Sequence, residues 1–349
     1  MATIKDIAKA AGVSVTTVSR ALNNYPDVSE STKRKIKSIA DELNYSPNSL
    51  ARSLVMNKTK TIGLLVSGLN PENAKDSFIA ETLCGINDSC SELGYDLVLF
   101  STNTSKQKKK TYAQLCRERR VEGVITQGIK MNDPYLQEVI ESDIPCVFVD
   151  IPMESKSVGF VTTDNRVGCQ SAVKHLVELG HKHIAMINGH NEAFVSKERL
   201  EGYRAGLEEE GIEFNWDYVR NGNFEKQTAE EMTKELLVKH PEITAVFCAS
   251  DLMALGVIDA AKKLEMEVPK DLSVVGYDDI ILATYSSPPL TTIAQDKYGF
   301  GFEAAKLLVD IIEENDVNRK KILNSELIIR QSTAKSPDVD AVTKLDDKN

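Results

Sequence analysis

The sequence predicts two architectures in one chain, a small all-α head and a larger α/β body of doubly wound parallel sheets. Three observations carry this reading. Thr3–Asn23, TIKDIAKAAGVSVTTVSRALN, holds two short helix-period segments around a tight corner. From Thr61 onward, short apolar runs alternate with amphipathic helical stretches, as in parallel β-α units. The charge is also split: the first 60 residues hold 10 Lys/Arg against 5 Asp/Glu, a net +5, leaving −15 on the rest of a chain whose total is −10. A chain of 349 residues exceeds one ordinary core and suggests two or three domains.

In the head, Ile4, Ile7, Ala8 and Ala11 recur at i, i+3, i+4, i+7, one apolar helix face. Gly12 supplies the corner, Val13 tucks beneath it, and Ser14 is placed to cap the next helix. Val18, Ala21 and Leu22 make that helix's buried stripe, leaving Val15, Thr16, Ser19, Arg20 and Asn23 outside. Small, hydrogen-bonding and cationic side chains on a short exposed helix suit the DNA major groove. An ordinary αα-hairpin satisfies the same spacing. After a loop around Pro26, Ser29 caps a third helix with Ile36, Ile39, Ala40 and Leu43 on one face. Next comes Ser46-Pro47, a cap followed by a first-turn proline, opening a segment of barely two turns in which Leu50, Ala51 and Leu54 share a face. So short a helix does not hold alone in water, and a hinge that orders on binding is expected.

In the body, strands are expected at Thr61–Ser67, Asp96–Ser101, Gly123–Gln127 and Cys146–Val149, with helices at 77–93, 106–119 and 133–142. The series repeats with strands near 158–162, 183–188, 217–221, 244–249 and 272–277, and helices near 166–179, 196–210, 226–239 and 251–263. A strand at 290–294, a helix at 297–313 and a strand at 326–330 close the body, and the polar remainder reads as disordered.

The block T-I-K-D-I-A-x-x-A-G-V-S-x-x-T-V-S-R-x-L-N resembles the helix-turn-helix of the lactose/galactose repressor (LacI/GalR) family, and S-P-N-x-x-A-R-x-L at 46–54 resembles that family's hinge helix. The resemblance implies base reading by Val15, Thr16 and Arg20, phosphate contacts by Ser14, Thr17 and Asn23, and a minor-groove wedge of Leu54 with Leu50 and Ala51 beside it. It extends to about Thr333 and implies an α/β body like that of periplasmic binding proteins, with two doubly wound parallel-sheet lobes. The expected organisation is 1–46 helix-turn-helix head, 47–60 hinge and linker, 61–333 effector-binding and dimerisation body, and 334–349 disordered tail. Within the body the lobes exchange strands: 61–161 with 294–323, and 162–293 with 324–333.

A ligand in such a fold sits outside the carboxyl ends of the strands. Candidates there are Asp164, Ser196, Arg199, Asp251, Asp278 and, more weakly, Phe78, Gln127 and Gln295, with Phe224 offering an apolar face to a sugar ring. Asp164 and Asp251 equally suit plain helix caps. The family resemblance assigns effector contact to Arg199 of S-x-x-R-x-x-G (Ser196, Arg199, Gly202) and to Asp278 of G-Y-D. Lys297 stands where some relatives have an aromatic, which leaves the polarity of the cleft open.

Other chemistry finds no footing. Gly299-Phe300-Gly301-Phe302-Glu303-Ala304 matches G-x-G-x-x-A but lies far from the first β-α unit, so it is no dinucleotide fingerprint. His181 and His183 make a poor metal pair, and the six cysteines lack C-x-x-C spacing, as free thiols in a reducing cytosol would. No enzyme activity, cofactor or metal is expected, and no apolar run is long enough for a membrane span. The resulting expectation is a cytoplasmic, homodimeric repressor on double-stranded DNA with a pseudo-palindromic operator. A small effector, a sugar or sugar phosphate, would tune it, as inducer or as corepressor. A purine-responsive regulator, a transport-type sugar-binding protein and a nicotinamide oxidoreductase are the alternatives; residues 1–54 and the missing glycine fingerprint speak against the last two.

Overall fold

The computed structural model describes residues 2–45, 58–67, 77–102, 110–133 and 135–337. Two compact units divide between Thr59 and Lys60. The hinge assignments to Leu50, Ala51 and Leu54 lie outside the described residues.

The first unit holds helices α1 (Ile4–Ala11), α2 (Val15–Leu22) and α3 (Glu30–Glu42). Each starts where the sequence offers a cap. The Asp6 carboxylate accepts from the Thr3 N–H at 2.8 Å, and the Ser14 and Ser29 hydroxyls accept from the N–H groups of Thr17 and Thr32. Gly12 ends α1 at φ +71°, a left-handed conformation that needs glycine, and this allows α2 to turn away within three residues. Among the described residues, Ile7, Val18 and Ile36 are fully buried at the centre of a core of eight buried side chains.

The second unit contains two six-stranded sheets. The chain supplies β1 (Thr61–Ser67), α4 (Ser77–Leu93), β2 (Asp96–Thr102), α5 (Tyr112–Arg119), β3 (Gly123–Gln127), α6 (Leu136–Glu141), β4 (Cys146–Val149) and β5 (Val158–Thr163) to the first lobe. It then crosses to α7 (Asn165–Glu178), β6 (Ile184–Asn188), α8 (Phe194–Glu209), β7 (Val219–Asn221), α9 (Lys226–Lys239), β8 (Ala245–Cys248), α10 (Asp251–Lys263), β9 (Ser273–Asp278), α11 (Ile281–Tyr285) and β10 (Thr291–Gln295). Helix α12 (Lys297–Ile312) and β11 (Lys320–Leu323) return to the first sheet, and β12 (Ser325–Ile328) to the second. The strand orders are β11-β5-β4-β3-β1-β2 and β12-β10-β9-β8-β6-β7. All neighbours are parallel except β10 and β12, a shorter strand than the 326–330 reading placed there.

Strands buried on both faces explain the near-continuous apolar runs of β1, β3 and β9. The run at Gly299–Ala304 has a packing role: a Cβ on Gly301 would come within 1.9 Å of the Thr82 carbonyl oxygen, so the glycine lets α12 lie against α4. The strand expected over 217–221 is shortened to β7, since Asn215 caps a single 3-10 turn at Trp216–Tyr218.

The expected disordered tail needs correction at its start. Ala334–Ser336 dock on the second sheet: the Ala334 carbonyl takes a contact of 3.0 Å from His181 Nε2, the Ala334 N–H donates to Ser273 Oγ, and the Ser336 N–H donates to the Leu179 carbonyl. Polar composition misleads here because these residues satisfy buried partners instead of water. His181, with Nδ1 on Thr244 Oγ1 at 2.9 Å, belongs to this clasp. No helix among the described residues is long and apolar enough to cross a membrane.

Candidate functional site

In the head, α2 presents the face its spacing predicts. Val18 and Ala21 are buried, while Ser14, Val15, Thr16 and Arg20 are exposed. Ser14 and Thr17 share a hydroxyl contact of 2.8 Å, and Asn23 Nδ2 donates to the Ser19 carbonyl, so these residues also finish the helix ends. Arg20 is held in a fork by Asp27, with Nε to Oδ1 at 3.2 Å and Nη2 to Oδ2 at 2.7 Å. Phosphates and guanine edges call for this inventory of donors.

In the second unit, a cavity of about 220 Å³ lies between the ends of β1, β3 and β4 on one lobe and the start of α8 on the other. Arg199 dominates its floor at 3% exposure. The first turns of α8 point it inward. There Nε donates to Asn165 Oδ1 at 2.8 Å, Nη1 donates to the Ala249 carbonyl at 2.6 Å, and Nη1 stands 3.6 Å from Asp278 Oδ1. Its guanidinium also covers the Tyr277 ring, 3.8 Å from the centroid. Burial, the largest single influence, would pull its pKa down, but Asp278, Tyr277 and Asp150 acting together leave it raised, so the cation persists.

The structure brings together four of the eight predicted effector residues. Arg199, Asp278, Phe224 and Phe78 line the cavity, as does the weaker candidate Gln127. Phe224, at φ +61°, lies against Gly189, where a Cβ would clash at 2.0 Å, and meets His190 edge-on. Phe78 tilts against Phe300 at 5.7 Å. Neither polar atom of Gln127 has a hydrogen-bond partner among the described residues.

The other four stand outside the cavity wall. Asp164 is an exposed N-cap, its carboxylate accepting from the Val167 N–H at 3.2 Å. Asp251 is wholly buried, accepting from Thr292 Oγ1 at 2.5 Å and from the Ile280 N–H at 2.8 Å, and it pins the loop after β9. Burial, then the neighbouring Asp278 charge, lifts its pKa well above the usual carboxylate range. Gln295 stands one layer back, accepting from Thr163 Oγ1 at 2.8 Å and donating to Asp278 Oδ1 at 2.7 Å. The Ser196 hydroxyl is buried behind Gly189 and Phe224. Lys297 also turns away, donating to the Asp278 and Asp279 carbonyls at 2.8 and 2.7 Å.

Sequence reasoning missed two residues. Asp150 follows β4 and lines the cavity, bonded to Thr162 Oγ1 at 2.9 Å; burial raises its pKa against the opposing Arg199 charge. The strand-end rule that found Asp278 would have found it too. His190 lines the rim, where the Met131 N–H of the first lobe donates to the Glu192 carbonyl of the second at 2.9 Å. Among the described residues no cluster of His, Cys, Asp or Glu could hold a metal ion.

Comparison with known proteins agrees with both units. Residues 3–48 match the model of bacterial regulatory proteins of the lacI family, and residues 173–333 that of a periplasmic binding protein-like domain. The HTH-type transcriptional repressor PurR of Photobacterium profundum is 37% identical over 334 residues, 95% of this chain and 98% of that protein. Among solved structures, the transcriptional regulator CelR–cellobiose complex is 32% identical with TM-score 0.74, covering 95% of this chain and 100% of that one. The Lac repressor dimer bound to operator and the anti-inducer ONPF is 28% identical with TM-score 0.80, covering 95% and 99%. With a helix-turn-helix head, a two-lobed body and full-length repressor relatives, the chain belongs to the LacI family of DNA-binding transcriptional repressors and is not an enzyme.

Proposed function

We propose that this repressor holds a pseudo-palindromic operator as a homodimer and that a small polyhydroxylated effector, a sugar or sugar phosphate, sets the strength of that hold from the interlobe cavity. The observation that carries this reading is the buried Arg199 guanidinium beside Asp278, facing a cavity flanked by Phe78 and Phe224. A sugar hydroxyl both donates and accepts. Asp150 and Asp278 accept, Arg199 donates, and the Gln127 amide does both. The phenyl faces suit the apolar side of a pyranose ring. Val15, Thr16 and Arg20 read bases in this scheme, with Ser14, Thr17 and Asn23 on phosphates.

Coupling needs an effector with different affinity for two arrangements of the lobes. The Thr163–Gln295–Asp278 chain supports this role, because Thr163 and Gln295 end the strands where the chain leaves one lobe for the other.

A second reading, a purine base as effector, is favoured by the PurR relatives and by the same aromatic walls. Thermal-shift titration of the full chain against monosaccharides, disaccharides, sugar phosphates and purine bases separates the two, since a bound ligand raises apparent stability. A shift with a sugar that also changes operator affinity in fluorescence anisotropy is expected; a response to purines alone replaces the sugar reading with the second one.

A further inference from the structure

We propose that Asp27 is a specificity-determining positioning residue, which turns the Arg20 guanidinium so that its end-on pair of donors faces the duplex. The inference rests on the reading of Arg20 as a base-contacting residue and names what aims it.

A guanidinium has two edges that can grip a pair of acceptors. The side-on edge is Nε with Nη2, and the end-on edge is Nη1 with Nη2. Asp27 occupies the side-on edge through both carboxylate oxygens, at 3.2 and 2.7 Å. The end-on edge remains, and a fork of this shape matches guanine O6 and N7. Tyr25 restrains the same group from another direction, its ring centroid 5.0 Å from Arg20 Cζ.

The loop that carries Asp27 is itself tied down at both ends. The Tyr25 N–H donates to the Arg20 carbonyl at 3.0 Å, and Asn24 turns the chain at φ +58°. On the far side Val28 is buried in the head core and Ser29 caps α3. Asp27 is therefore presented by backbone that the core fixes.

Stability does not account for the fork. The two side chains are 45% and 52% exposed, and an ion pair so open to solvent adds little to stability. An acid also stands against phosphate attraction in a segment whose net charge is +5, so Asp27 weakens binding to DNA of any sequence. What it adds is direction. Held by two bonds and a ring, Arg20 loses less rotamer entropy when it meets the matching base, and it resists bending toward a neighbouring phosphate.

The test uses fluorescence anisotropy with the full chain. The probes are a duplex selected by the wild-type protein from a randomised palindromic library, a set in which each half-site G·C pair is changed to A·T, and a random duplex. Arg20→Ala should lose discrimination at one G·C pair, on the order of tenfold or more. Asp27→Ala and the near-isosteric Asp27→Asn should each lose about fivefold or more at that same pair. Their affinity for the random duplex should hold or rise. In the Arg20→Ala background, Asp27→Ala should change discrimination no further. If Arg20→Ala loses discrimination and both Asp27 variants keep it, the positioning role is wrong and Arg20 remains a base reader. Equal tightening on selected and random duplexes by the Asp27 variants overturns it likewise, leaving Asp27 as a charge alone. Full discrimination by Arg20→Ala overturns the premise and the inference with it. Circular dichroism of each variant confirms the folded head, and the Asn variant supplies the reading if the Ala variant unfolds.

Discussion

The head and the cavity solve recognition in opposite ways. In the head the side chains proposed to meet DNA lie along one helix and its ends, exposed or half-buried, and their supports are a few residues away: Ser14 with Thr17, Asn23 with Ser19, Arg20 with Asp27. In the cavity the central cation is buried, and its partners Asn165 and Ala249 lie 34 and 50 residues away along the chain. A surface that meets phosphates can be assembled from local geometry, because water solvates its charges until DNA arrives. A buried charge must find every partner within the fold, which only topology can supply. The head thus depends on a small core staying folded, and the cavity on a dense polar network staying intact.

The contrast breaks most visibly through the head core. Ile36→Ala should destabilise the first unit by about 2–5 kcal/mol, a large share of what so small a core provides. Operator binding should then be lost while effector binding to the body persists; calorimetry with operator anisotropy checks this, and loss of both would show that the units do not fold separately. In the body, Arg199→Ala leaves the buried Asp278 carboxylate without its cation, at a cost of about 3–5 kcal/mol. The effector response should vanish with operator binding retained, and a variant that responds normally would remove Arg199 from the site.

Smaller effects sharpen the same comparison. Ser14→Ala removes the cap of α2, worth about 1 kcal/mol, and should weaken operator binding and the first unit's melting together, without touching effector affinity. The smallest effect concerns pH. His175 is buried against Thr333 Oγ1, and burial lowers its pKa below the usual 6.5 against the opposing Glu178 charge. The unfolded chain then takes a proton more readily than the folded one, so stability present above pH 6.5 is lost as pH falls through the folded value. Melting temperatures measured between pH 7 and 5 should fall more steeply in the wild type than in His175→Gln.

Legibility follows the same division. The three head helices, their caps and the outward face of α2 were readable because periods and caps are local rules. In the cavity, Arg199 and Asp278 were singled out by their places at strand ends and then by the family resemblance, and Phe224 and Phe78 by position. Asp164 and Asp251 show the limit. Both stand at strand ends before helices, yet one caps its helix in solvent and the other is sealed beneath the loop after β9. Asp150 shows the reverse error: it stands at a strand end as Asp278 does, but its approach to Arg199 is set by the fold.

The amino-acid pattern by itself determined the helix-turn-helix face, the alternation that demands parallel sheets, and the division of charge between a basic end and an acidic body. Periodicity, caps and charge are properties of neighbouring residues, and neighbours are what a sequence displays. The tertiary structure alone decided which carboxylates border the cavity, that Gln295 and Lys297 serve Asp278 from behind, and that Ala334–Ser336 are docked. Each of these depends on burial and on partners far along the chain, and burial exists only once the sheets have assembled.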